Sequence, residues 1–186
     1  MSESLITKKA IAQGLKDLTL TKPFGKISIG DITSACGLNR QTFYYHFQDK
    51  YELLSWIYYN EGFIYVMDGI TLENWHEKLK ELLDTMKADQ EFYRNTIKND
   101  DSYFKEYLLE IVATLFYEAI DKLDEDKSLS VEDKKFYSQF YAYGICGVVV
   151  AWVESGMKED TKKLSGKLKS LAQGSEKLGY EIYTNR

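Results

Sequence analysis

Apolar residues recur at intervals of three and four along most of this 186-residue chain, the spacing of one face of an α-helix. Ile11, Leu15 and Leu18 predict a first helix over about 5–18. Ser28, followed three residues later by Asp31, has the form of a capping box and starts a second helix. Gly37 ends that helix early, because glycine supplies the positive φ of a helix C-terminus. Asn39 is a good N-cap for a third helix over about 40–47, and Asp49 with Glu52 opens a fourth that runs to about 67. Further stripes follow at Trp75, Leu79, Leu82 and Met86, and at Phe104, Leu108, Ile111 and Leu115. Tyr107, Val112 and Phe116 widen the second of these, which predicts a central helix. A long apolar helix over about 136–155 comes next, and a last one carries Leu164, Leu168, Leu171, Leu178 and Ile182. No hairpin signal interrupts the series. The pattern therefore predicts an all-α fold of about nine helices. It consists of a small three-helix module over 1–50, a connecting helix over 51–68 and a helical bundle over 69–186.

Composition agrees with long helices. The chain has one proline, Pro23, between the first helix and the second, against an average usage of about 5%. Interior prolines remove a hydrogen bond and clash with the preceding turn. Cys36 and Cys146 lie far apart and form no Cys-x-x-Cys pair, which fits two small packed side chains in a reducing cytoplasm better than a disulfide or metal site. The N-terminal residues lack a secretory signal pattern, and the longest apolar run, 142–153, is shorter than the roughly 20 residues of a bilayer crossing. The expectation is a cytoplasmic protein with no membrane partner and no cofactor.

A net charge of −5 speaks, taken alone, against a nucleic-acid partner. The charge is unevenly placed, however. Residues 1–50 hold Lys8, Lys9, Lys16, Lys22, Lys26, Arg40 and Lys50 against Glu3, Asp17, Asp31 and Asp49, a balance of +3 that leaves −8 for the remainder. A basic module on an acidic body is the asymmetry expected of a protein that brings one end to a polyanion.

The second and third helices have the dimensions of a helix-turn-helix, with Ile32, Ala35, Leu38 and Phe43 available as the seam between them. Arg40, Gln41, Thr42, Tyr44, Tyr45 and His46 then lie largely outside the seam. Either this is a solvated face at a helical corner, or it is a major-groove reading face. Arginine can fork to guanine and glutamine to adenine, while hydroxyls and imidazole reach phosphates.

The segment ISIGDITSACGLNRQTFYYHFQDKYELL closely resembles the DNA-binding segment of TetR-type transcriptional regulators, over about 5–58. The Thr-Phe-Tyr-Tyr-His-Phe core and the Asp-Lys after it carry the resemblance most specifically, and Gly156-Met157-Lys158 matches more weakly at the last helical junction. The run RQTFYYHFQDKYELLSWIYYNE also resembles regulators of dihydroxyacetone kinase operons. The resemblance implies a homodimer that binds a palindromic double-stranded DNA operator. By the same resemblance Arg40, Gln41 and Tyr44 face base edges, while Thr42, Tyr45, His46 and Lys50 hold phosphates. Gly30 stands where some members of the family carry a base-reading arginine. Repression by promoter occupancy is the function implied first. Activation switched by a partner protein is the alternative, and a helical interaction module that binds no DNA is a further one.

In the bundle, Gly144, Gly147 and Ala151 put small residues at helical spacing beside Val148 and Trp152. Two glycines weaken a helix by about 1 kcal/mol each, so a close approach is expected, either inside the chain or against a second copy. The family resemblance favours a dimer interface of Gly144, Gly147, Val148, Ala151 and Trp152, completed by Leu168, Leu171 and Leu178. Tyr93, Phe104, Tyr107, Phe116, Tyr137 and Tyr141 lie on helices that could surround an effector pocket, although such stripes also serve as plain core. Enzymatic chemistry is not indicated. His46 and His76 are the only histidines, and no phosphate loop, dinucleotide fingerprint or His-Glu-x-x-His motif occurs.

Overall fold

The computed structural model describes residues 3–99 and 103–184, with side chains described over 3–98 and 103–174. Nine helices follow in chain order among the described residues. They are α1 (Glu3–Thr19), α2 (Ile29–Ala35), α3 (Arg40–His46), α4 (50–67), α5 (Trp75–Ala88), α6 (Gln90–Asn99), α7 (Tyr103–Leu123), α8 (Val131–Glu154) and α9 (Thr161–Thr184). No strand occurs among the described residues.

The caps expected in the N-terminal module form. The Ser28 hydroxyl accepts from the Asp31 amide at 3.1 Å, and the Asp31 carboxylate accepts from the Ser28 amide at 2.7 Å. Gly37 takes φ +67°, and Asn39 Oδ1 accepts from the Thr42 amide at 2.7 Å. Asp49 Oδ1 accepts from the amides of Tyr51 and Glu52. Ile11, Leu15, Ile32, Phe43, Phe47 and Leu53 lose all or nearly all of their surface to the small core beneath these helices.

The fourth helix differs from its expectation as one regular element. It runs as α-helix over Lys50–Ile57, opens into a π-helical segment at Tyr58–Phe63 and closes as Ile64–Met67. Gly62, inside the π segment, lies so near α5 that an added Cβ would sit 3.2 Å from Leu82 Cδ1. Single π turns inside helices add one residue and re-aim the face that follows. Here they set Tyr58 and Phe63 into a buried aromatic stack with Phe92, Tyr93 and Phe104.

In the bundle α7 packs along α8, while α9 lies against α5 and α6 against α8. By length and composition alone α8 is apolar enough to cross a membrane. One of its faces, including Ala142, Ile145, Val149 and Val153, is buried in the protein. The α7–α8 corner is clamped by Lys134, which pairs with Asp121 at 2.7 Å and Asp124 at 2.9 Å. The Lys134 ammonium, helped by bonds from Ser128 and Leu129 and opposed by desolvation, brings the Asp124 carboxyl down to about 2.

Candidate nucleic-acid interface

The short third helix is held by its inward side and free on its outer one. Phe43 and Phe47, 5.9 Å apart between ring centres, anchor it in the small core. Gln41, Tyr44 and Tyr45 project from the opposite side, with Tyr44 57% and Tyr45 83% exposed. Tyrosine hydroxyls left in water on a helix this short are available to a polar surface. Tyr45 also meets His46 edge to face at 5.0 Å, which limits the swing of both rings. Thr42 is half-buried, and its hydroxyl donates to the same Asn39 carboxamide that caps the helix, at 3.0 Å.

Arg40 lies back over the start of α2. A Cβ built on Gly30 would stand 2.7 Å from an Arg40 guanidinium nitrogen, so the missing side chain at 30 is the space that the guanidinium occupies. The two residues border one shallow surface groove, together with Leu18, Ser28, Thr33 and Ser34. Nearby, the Asp31 carboxyl is held well below the usual range, first by the Lys22 ammonium at 2.7 Å and then by the amide and hydroxyl of Ser28. Asp31 is therefore a neutralised part of the scaffold rather than a free repulsive charge facing a polyanion.

Lys50 is placed differently from the phosphate contact expected of it. Its ammonium donates to the carbonyls of Phe24, Gly25 and Ile27 at 3.0, 3.2 and 2.9 Å and sits 4.7 Å above the Phe24 ring. These carbonyls close the 3-10 turn Phe24–Lys26 and have few other donors. Desolvation, aided by repulsion from Lys22, lowers the Lys50 pKa. Its donors are spent on the protein's own backbone.

Side chains of Asn95 and Lys16 tie this head to the bundle and to the π segment. Asn95 of α6 donates to the carbonyls of Thr19 and Lys22 at 2.8 and 2.9 Å, and its Oδ1 accepts from the Phe24 amide at 2.8 Å. Lys16 of α1 pairs with Glu61 of the π segment at 2.7 Å and with Asp89 at the α5–α6 corner. Burial alone would lower the Lys16 pKa, but hydrogen bonds to Asp89 and Glu61 outweigh it and raise it. An asparagine or lysine at these places carries no sequence signal, because its partners lie 45 to 76 residues away.

The six aromatic residues considered for a pocket separate into three groups. Tyr93 and Phe104 are buried in the stack under the π segment, and Tyr107 joins it, 5.6 Å from Phe63 and bonded to the Ser55 hydroxyl at 3.0 Å. These three pack ring against ring in that stack, and burial pushes the Tyr93 phenol pKa up. Tyr137 is exposed on the outer side of α8. Phe116 and Tyr141 stack at 4.6 Å and line a cavity of about 470 Å³ with Trp75, Ala119, Ile120 and Lys169.

The residues considered for a dimer interface also divide. Gly144, Gly147, Val148 and Ala151 share an exposed face of α8 with Phe136 and Phe140, which are 67% and 70% exposed, while Leu171 of α9 is 67% exposed. An added Cβ on Gly144 or Gly147 would meet nothing among the described residues, so nothing there packs closely on these glycines within the chain. Trp152 and Leu168 point inward instead. Both are buried, and the Trp152 indole donates to the Glu159 carbonyl at 3.0 Å. The side chain of Leu178 lies outside the described residues.

A capped three-helix head with a donor-rich recognition helix, joined by a continuous helix to an all-α bundle, defines a helix-turn-helix DNA-binding regulator. Residues 16–56 match the model of bacterial regulatory proteins of the tetR family, and residues 73–174 match that of a transcriptional regulator C-terminal region. The chain is 30% identical over 154 residues, 80% of either chain, to the dhaKLM operon transcriptional activator DhaS of Lactococcus lactis subsp. lactis (strain IL1403). A solved structure of the dihydroxyacetone kinase operon activator DhaS superposes with a TM-score of 0.71 at 30% identity, covering 94% of this chain and 98% of that one. The fatty acid degradation regulator FadR from Bacillus halodurans shares the fold at 19% identity, with a TM-score of 0.60 over 89% of this chain and 93% of that one. The chain belongs to the TetR family of transcriptional regulators.

Proposed function

We propose that the protein is a homodimer that reads a palindromic operator with α3, its DNA affinity set by the conformation of the bundle. The observation that carries this reading is the recognition helix itself. Gln41, Tyr44 and Tyr45 are presented outward by a helix whose other side is locked into a core. Gln41 and Arg40 read base edges together with Tyr44, while Thr42, Tyr45 and His46 settle the register on phosphates. Lys50 acts on the scaffold by holding the turn before α2. The exposed face of α8 around Gly147 and Val148 supports pairing with a second copy, because among the described residues nothing packs closely on its glycines.

Helix-turn-helix dimers set their recognition helices about 34–36 Å apart. An effector or partner that prefers another spacing weakens or strengthens operator binding by its differential affinity alone. The contacts of Asn95 and Lys16 support α6 and the π segment as the route from bundle to head.

Repression by promoter occupancy is the mode implied by the family. Activation of an operon for dihydroxyacetone phosphorylation is the second reading, favoured by the relative DhaS, an operon activator that is 30% identical over 80% of this chain. Deleting the gene and measuring transcripts beside it separates them, since transcripts rise for a repressor and fall for an activator. Titration of matched and mismatched duplexes tests the reading face. Arg40→Ala should cost about 1–3 kcal/mol at one position per half-site and leave non-specific binding unchanged. Equal loss on every duplex would remove Arg40 from base reading.

A further inference from the structure

The cavity of about 470 Å³ between α5, α7, α8 and α9 has mostly apolar walls; Glu73, Lys169 and Gln173 are its charged and amide-bearing lining residues, and Lys169 is the only cation among them. Trp75 meets Phe116 edge to face at 5.7 Å, and Phe116 stacks on Tyr141 at 4.6 Å, so three rings form one wall, with Ala119 and Ile120 beside them. The volume lies in the range of small-molecule sites, which combine apolar walls with a few convergent polar groups.

The Lys169 ammonium donates to His76 Nε2 at 3.0 Å, and it forms no ion pair with a carboxylate among the described residues. An ammonium has no lone pair to accept with, so the imidazole accepts at Nε2 and carries its proton at Nδ1. Nδ1 is buried and has no hydrogen-bond partner among the described residues. The carboxylate nearest to the imidazole, that of Glu77, stands 3.9 Å from Nε2 and is largely exposed. Glu73 also borders the cavity, but its carboxylate accepts from the Thr71 hydroxyl and is drawn toward Lys122. Lys169 is thus a half-buried cation whose one bonded neighbour is neutral, beside an apolar space. A charge in such a place is best satisfied by an anion that brings its own apolar body.

We propose that this cavity binds a small amphiphilic carboxylate, its apolar body against Trp75, Phe116 and Tyr141 and its carboxylate on Lys169. A monoanion matches the single cation of the lining, whereas a phosphate dianion would bring a second negative charge that no other lining residue balances. The proposal deepens the reading of the bundle as effector-controlled and rests on it. The same cavity includes Leu72 and Glu73, so an occupant touches the segment that connects α4 to α5.

The test uses the full chain with octanoate and 1-octanol as probes, followed by calorimetry and by fluorescence of the wall residue Trp75. Octanoate should bind at least tenfold more tightly than octanol. Lys169→Met should bring octanoate down to the level of octanol and leave octanol unchanged. Ala119→Trp, which fills the cavity, should abolish both. Equal affinity for the two probes in the unaltered chain, an octanoate preference that survives Lys169→Met, or no binding of either probe would each overturn the proposal. DNA retardation is read in the same samples. A chain that retards its DNA but takes neither probe loses the pocket and keeps the DNA reading, and octanoate binding through Lys169 without retardation does the reverse.

Discussion

Replacing Lys50 by methionine separates a scaffold lysine from a phosphate-binding one. Methionine keeps most of the apolar stem and removes the ammonium, so the carbonyls of Phe24, Gly25 and Ile27 lose a common donor. Water can replace the bond at the exposed Gly25 carbonyl, but those at Phe24 and Ile27 are partly buried. Each of these two is worth about 1 kcal/mol net, and the cation over the Phe24 ring adds about 0.5–1 kcal/mol. The cost of desolvating the ammonium, visible in its lowered pKa, offsets a part. A loss of about 2 kcal/mol follows, measurable as a shift in the denaturant midpoint at unchanged m-value. The salt dependence of DNA binding should stay as it was, because no phosphate contact is lost. A phosphate-binding lysine would behave in the opposite way, with stability unchanged and the slope of log K against log salt reduced by about one. That result would refute the placement of Lys50.

Other expectations test separate parts of the account. Gly30→Ala puts a methyl group where the Arg40 guanidinium lies, and the arginine is flexible enough to move. Folding stability should be unchanged or slightly higher, while discrimination between operator variants changes at the position read by Arg40; unaltered discrimination would show that this placement does not matter. Val148→Asp sets a charge in the exposed face of α8. It should give a monomer by sedimentation at micromolar concentration, and operator affinity should fall by about 10²–10⁴ with the loss of bivalent binding; a variant that stays dimeric would move the interface elsewhere. Asp124→Asn should destabilise the chain near neutral pH and flatten its acid limb. The folded-state pKa is depressed from 3.8 to about 2, so the stabilisation is present above the ordinary carboxylate range and is lost as pH falls through about 2. An unchanged acid limb in urea titrations at stepped pH would exclude this clamp.

The local parts of the fold were legible in the residues. Ser28 with Asp31, Asn39 and Asp49 make their bonds within two or three positions, so sequence spacing alone determines them. Periodicity likewise showed that Phe104 and Phe116 face inward on α7. It could not show that the space beside Phe104 is filled by Tyr58 and Phe63 while that beside Phe116 is open. The difference arises from the π segment, which re-aims α4 by one residue and has no side-chain pattern of its own. Trp152 flanks the small residues in sequence, which suggests an interface, yet its position on the helix turns it toward Glu159. Lys50 and Asn95 depend on where distant backbone carbonyls come to rest, and only assembly of the tertiary structure reveals that. The net charge of −5 is uninformative for the same reason, since it averages a +3 head and a −8 body that act separately.

The central claim is that α3 reads a symmetric DNA site as one of a pair. Footprinting of the full chain on the DNA upstream of its own gene tests this most directly. The account predicts two protected half-sites of related, inverted sequence, with centres one helical turn of about 10–10.5 bp or a multiple apart. Arg40→Ala should retain protection at low salt and lose the preference for that site. Absence of protection, or protection indifferent to sequence in the unaltered chain, would contradict the claim.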